Sequence, residues 1–298
     1  MSLVDDKHRG SFTANKEIIS LISGMVFSFL MGSLVDYFTK AGKTKTAFIL
    51  SAAVIFILCI LHTLTMCFTS ENEVKKSNSK NLIKSLSDLF HDKKILQVSL
   101  LFIIHHISTG IASPFYATYQ IGELSLSLKF ISAIAILGSI SRILVSRFWG
   151  SYADKNSFAK MIIWCFSFFA LSQICVIFAF PEIGKLMFIL YYIFNGIAYG
   201  GLNSALINLI FDYAPQEKRS DSLAITQALA GLTGFLTTLT ISPLVSHIQN
   251  NGNKIFSFQI FAQQFVTILA LFFTLLAIFY TKFVILKKGD IKNGNTKV

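Results

Sequence analysis

Charge is scarce in this chain: only 14% of its 298 residues are Asp, Glu, Lys or Arg and 53% are hydrophobic, against about 25% charged and 45–50% apolar in a soluble domain. With a mean hydropathy of +0.63, a water-soluble fold is excluded. Cysteine is sparse too, and the four residues Cys59, Cys67, Cys165 and Cys175 form no CxxC pair and have no cluster of His or acidic partners. That excludes a disulfide framework and a zinc site. Residues 1–16 carry Asp5, Asp6, Lys7, Arg9 and Lys16 with no apolar core, so they read as a polar tail rather than a secretory leader. No catalytic dyad, metal cluster or phosphate loop is present, and no enzyme is expected.

Long apolar stretches are what the chain does have. Crossing a bilayer takes about 20 mostly apolar residues, and eight such stretches cover roughly 17–38, 46–69, 95–119, 126–148, 161–180, 186–211, 223–247 and 258–285. An all-α polytopic membrane protein with eight transmembrane helices is expected.

The net charge of +11 would point a soluble protein toward nucleic acid, but in a membrane protein the placement of Lys and Arg carries the meaning. Most of the 26 cations gather in the two tails, in loops 70–94, 147–160 and 212–222, and at Arg142, read as the inner end of its span. This places both termini in the cytoplasm of a plasma-membrane protein whose partners are the lipid bilayer and a small solute, with no nucleic acid. The loop 70–94 turns amphipathic at Leu82, Ile83, Leu86, Leu89 and Phe90, which is the pattern of a linker helix lying on the membrane surface.

The chain also echoes itself. RGSFTANKEIISLISG from Arg9 and RSDSLAITQALAGLTG from Arg219 align Arg9, Ala14 and Gly24 with Arg219, Ala224 and Gly234. Each segment leads from an inner loop into a span followed by one last span, as in transporters built from two parallel six-helix repeats. The repeat then implies about 120 residues, or four helices, before Met1.

Between two apolar stretches stands RFWGSYADKNSFAK, residues 147–160. Its GSYADK core resembles the loop signature of the major facilitator superfamily, G-x-x-x-D-[RK]-x-G-[RK]-[RK], through Gly150, Ala153, Asp154, Lys155 and, loosely, Lys160. Ser157 stands where that family prefers Gly, and Phe158 where it prefers a cation. DDKHRGSF near the start and PQEKRSDS at 215–222 resemble the inner loops entering the family's fifth and eleventh helices. GSLVDYFTK, from Gly32, fits the short pattern too, but it lies an odd number of spans away and reads as a helix end.

The resemblance implies a partial fold of that family covering helices five to twelve. Residues 1–69 would hold the last two helices of the first half, 70–94 a cytoplasmic linker, 95–286 a complete second half, and 287–298 a cytoplasmic tail. It also implies a secondary transporter working by alternating access as a monomer, without a cofactor but with H+ as a possible coupling ion. Its gating residues would be Gly150, Asp154, Lys155, Lys160, Arg9 and Arg219, with Asp154 latching the start of the fifth helix around Ser11 to Asn15. The competing readings are a non-transporting or accessory remnant of such a permease and an Asp that merely caps its own loop.

The third and sixth helices of a half are expected to face lipid. The stretch 186–211 is accordingly far more polar than 161–180. Candidate cavity residues are His105, His106, Tyr116, Asn195, Tyr199, Asn203 and Thr237. A histidine within a span is a binding or proton-relay candidate by default. His105 and His106, being adjacent, lie about 100° apart on a helix.

Overall fold

A computed structural model describes residues 9–68, 91–255 and 258–286. The expected amphipathic linker at 70–90 and the tail at 287–298 lie outside the described residues. Eight long helices make up nearly all the rest: α1 (Arg9–Lys40), α2 (Thr44–Cys67), α3 (Lys93–Ala112), α4 (Leu128–Lys155), α5 (Phe158–Ile177), α6 (Gly184–Tyr213), α7 (Arg219–Asn250) and α8 (Ala262–Tyr280). Among the described residues, seven helices are long and apolar enough to cross a membrane. The first of the eight expected stretches, 17–38, lies within α1.

Helix is the outcome because a lipid-embedded backbone must satisfy its own N–H and C=O groups. Polar residues at the ends then set the limits. Asp92 accepts from the N–H groups of Lys94 and Ile95 to start α3, Ser127 from Phe130 to start α4, and Ser157 from Lys160 to start α5. These side chains occupy donors that no intrahelical carbonyl can reach. Pro114 lacks an N–H and tightens the end of α3 into a 3-10 turn, Ser113–Phe115, before the chain relaxes into a π turn at Tyr119–Glu123.

Two bodies divide the described residues. One holds residues 16–68, the greater part of α1 together with α2. Its turn at Ala41–Lys43 uses Gly42 at φ +71°. On α2, Ala47 is buried while Phe48, Ile55, Phe56 and Leu64 are exposed, as suits an apolar helix facing hydrocarbon.

The second body contains α3 to α8 and the first residues of α1, 9–15. Its helices pack in the spatial order α4, α6, α5, α8, α3, α7. The expectation that α5 is a peripheral, lipid-facing helix therefore needs qualification. Flanked by α6 and α8, it buries Met161, Cys165, Phe166, Phe169 and Val176, and beyond Lys160 in its first turn it exposes a stripe at Trp164, Leu171 and Ile174. The ends of the row are α4 and α7, and α7 presents Leu232, Phe235, Leu236 and Leu239 outward.

Close helix crossings need residues without side chains. A Cβ on Gly196 of α6 would lie 2.3 Å from the carbonyl oxygen of Gly138 on α4, and one on Gly110 of α3 would lie 2.6 Å from that of Gly234 on α7. Two apolar clusters fill this body. One runs from Ile95 and Phe102 through Trp149, Phe166 and Leu209, and the other from Ile111 and Tyr119 through Phe188 and Val266.

Between the two clusters lies a buried polar layer. Ser108 of α3 bonds Thr274 of α8 at 2.7 Å, Gln173 of α5 donates to Ser108 at 3.1 Å, and Thr274 donates to the Gln173 carbonyl at 2.8 Å. Away from the Asp154 end, the turn between α7 and α8 carries a short β1 (Lys254–Ile255) and β2 (Phe258–Gln259). Asn253, at φ +57°, and Gln249 both donate to Glu123 there.

Candidate functional site

The loop expected at 147–160 is shorter than its charges imply. α4 continues to Lys155, because one face of RFWGSYADK buries Trp149, Gly150 and Ala153 while Arg147, Phe148, Ser151 and Lys155 stay exposed. The Trp149 indole also donates to Ile197 of α6 at 2.8 Å. This extension moves Arg142 from the expected end of a span to the middle of α4.

Asp154 therefore projects from the last turn of a helix. Its Oδ2 accepts from the backbone N–H of Ser11 at 3.0 Å and from the Ser11 hydroxyl. An N–H in the first turn of α1 has no intrahelical acceptor, and the positive end of the helix dipole favours a carboxylate there. The loop's own cap is Ser157, whose hydroxyl receives Lys160 N–H. Asp154 is thus not the residue that starts α5, and the departure of Ser157 from the family pattern has a structural use.

A second residue meets the same turn of α1. Asn208 of α6 is fully buried, and its Nδ2 donates to the Ser204 carbonyl at 2.9 Å and to Thr13 Oγ1 at 3.4 Å. The start of α1 therefore meets α4 through Ser11 and α6 through Thr13. Nothing in the sequence around α6 singles Asn208 out, because its partner lies 195 positions away.

Of the remaining gating candidates, Gly150 is buried inside α4, while Lys155 and Lys160 are exposed. Arg219 opens α7, and its Nε donates to the Ala214 carbonyl at 3.4 Å, within its own loop. Arg9 opens α1, and its side chain lies outside the described residues.

Of the cavity candidates, His105 and Tyr199 come together. The His105 ring is buried with its Nδ1 unpartnered, and its neighbours are Phe166 at 5.4 Å, Phe169 at 5.8 Å and Tyr199 at 6.0 Å between ring centroids. Asn195 lies four residues before Tyr199, on the same face of α6, and is half-buried. Tyr116 packs edge-on to Tyr191 at 5.3 Å and receives a hydrogen bond from Thr267 at 3.3 Å.

His106, Thr237 and Asn203 go elsewhere. His106 Nδ1 meets the Phe102 carbonyl and Thr237 bonds the Thr233 carbonyl, each along its own helix, while Asn203 is exposed. Thr238, not Thr237, crosses between helices, donating to the Gly110 carbonyl at 2.9 Å. Among the described residues no group of three or more His, Cys, Asp or Glu could hold a metal ion.

The fold is similar to that of a bacterial homologue of the iron transporter ferroportin, solved in its outward-facing state. The identity is 16% and the TM-score 0.63, over 94% of this chain and 65% of that one. The chain thus spans 65% of the length of that solved protein. No curated protein matches the sequence. The model of the Major Facilitator Superfamily matches residues 1–238 and, in an overlapping match, 98–290. With the family model covering well over half its length, the chain belongs to the major facilitator superfamily.

Proposed function

We propose that the chain acts in secondary transport of a small solute by alternating access, with Asp154 as the latch of its inner gate. The bond from Ser11 to Asp154 carries this reading, because it joins helix ends 143 positions apart and leaves the capping of α5 to Ser157. A carboxylate receiving two donors at a helix N-terminus holds that end only while the two helices stay together.

The Lys-rich and Arg-rich segments support a plasma-membrane orientation in which this latch faces the cytoplasm together with both termini. Opening the gate then separates the start of α1 from α4, and rocking of helix bundles around a central site carries the solute across. His105, deep in a span and beside Tyr199, supports a protonatable position for coupling to H+. The protein works as a monomer with the solute as its ligand.

The test is transport by the protein in proteoliposomes across a panel of solutes, run with Asp154→Asn. Solute-dependent flux or proton movement that the substitution alters is the expected result. Absence of flux across the panel, or unchanged transport with unchanged accessibility of a cysteine at the inner gate, overturns the reading.

A further inference from the structure

We infer that Arg142 binds the carboxylate of the transported solute, with Tyr199 and Asn195 beside it, and that the substrate is a small monocarboxylate. The inference rests on the transport reading above and names its substrate class. Phe130–Lys155 is one of the spans, and Arg142 stands at its midpoint, 12 residues after Phe130 and 13 before Lys155. A charge at that depth is costly in hydrocarbon and marks a binding site or an ion path by default. Among the described residues, no other Lys or Arg of α3 to α8 stands within a turn of a span's midpoint.

The helix register turns this cation inward. Ile136, Ile140 and Leu144 form the exposed stripe of α4, and Arg142, two residues from each of the last two, lies about 160° away from them around the axis. Its neighbours on the same strip, Gly138 and Val145, both pack on α6. A Cβ on Gly138 would lie 3.0 Å from the Tyr192 carbonyl oxygen, and one on Gly200 would lie 2.6 Å from Val145 Cγ2 and 3.0 Å from the Arg142 carbonyl oxygen. Tyr199 adjoins Gly200, and the Arg142 charge acts on its hydroxyl. Gly138, Gly196 and Gly200 are buried in this crossing, whereas Arg142, Asn195 and Tyr199 are half-buried and edge it.

The chemistry of these three groups selects the ligand. A guanidinium is a planar fork of five N–H donors that matches both oxygens of a carboxylate, and it can do so while bonded to a protein group as well. The Tyr199 hydroxyl and the Asn195 amide add donors that the same carboxylate, or a polar substituent next to it, can use. One fixed positive charge at this level balances one negative charge. A dianion such as phosphate would bring a second charge into the span without a second cation to meet it.

The test uses the full chain and matched solutes, each offered as a carboxylate and as its uncharged amide: lactate and lactamide, benzoate and benzamide, nicotinate and nicotinamide. Melting in detergent reports binding, and protein-dependent flux into proteoliposomes reports transport. Carboxylates, and not their amides, should raise the melting temperature and cross the membrane. Arg142→Gln should need about tenfold to a hundredfold more carboxylate for the same shift, the effect of losing one charged hydrogen-bond partner. Arg142→Lys should fall between, because an ammonium keeps the charge but not the fork. No shift from any carboxylate, amides that bind or move as well, or an unaltered carboxylate shift in Arg142→Gln overturns the inference. The comparison of carboxylate with amide needs no variant, so it decides the matter even if Arg142→Gln does not fold. Carboxylate binding without flux of any solute sinks the transport reading and leaves the site standing, whereas flux confined to uncharged solutes does the reverse.

Discussion

Ser11 donates both its backbone N–H and its hydroxyl to the same carboxylate oxygen of Asp154. The two donors are not equivalent. The N–H belongs to the helix terminus and persists in any substitution at position 11 other than Pro, whereas the hydroxyl belongs to the side chain alone.

Asp154→Asn should consequently weaken the latch more than Ser11→Ala. Asp154→Asn takes the charge out of both bonds and loses the attraction to the helix dipole, whereas Ser11→Ala removes one charge-assisted bond of about 1.5–3 kcal/mol and leaves the other in place. Labelling of a cysteine at position 14 from the inner side orders the two variants, and an equal or larger effect of Ser11→Ala contradicts the arrangement.

His105→Phe separates packing from function. A phenyl ring matches the surroundings of Phe166, Phe169 and Tyr199 and removes a buried nitrogen without a partner. Thermal stability in detergent should hold or rise by about 1 kcal/mol, while H+-coupled flux is lost. A stable variant with intact coupling would assign His105 to packing alone.

Gly196→Ala places a methyl group 2.3 Å from the Gly138 carbonyl oxygen, whereas Gly231→Ala meets nothing within 4 Å. The first substitution should lower stability by about 1–3 kcal/mol through forced separation of α4 and α6. The second should be neutral or stabilising by up to about 1 kcal/mol, since Ala is the better helix former. Detergent melting curves of the pair provide the comparison.

Gln173→Leu cuts the link between Ser108 and Thr274 that runs through its amide. Both hydroxyls retain the Ala270 carbonyl, so the expected loss is modest, about 0.6–2 kcal/mol for the interhelical bonds removed. A shift in melting temperature without a change in gate labelling is the expected pattern.

Ser157→Ala tests the division of labour at the end of α4. Losing the cap should cost about 1 kcal/mol of stability and leave labelling at position 14 where it was. A gate that opens in this variant would mean the cap and the latch act together.

Helix existence was legible throughout, because a bilayer leaves an apolar stretch of this length no other way to satisfy its backbone. Helix ends were less so. The charges of 147–155 imply a loop, yet Trp149 and Ala153 bury themselves on α6 and the neighbouring turns and carry the helix on to Lys155. The partner of Asp154 could be named in advance only through the family resemblance, since no local pattern connects residue 154 to residue 11. Asn208 with Thr13, and Ser108 with Gln173 and Thr274, depend on how each helix is rotated about its axis. Sequence spacing does not set that rotation when nearly every face of a helix is apolar.

The hydroxyl and amide layer at Ser108, Gln173 and Thr274 gives the six-helix body a waist. Dispersion contacts above and below it have no preferred direction, whereas the bonds of the waist do. They tie α3, α5 and α8 to one another, so the rotation of each helix about its own axis is fixed at that level.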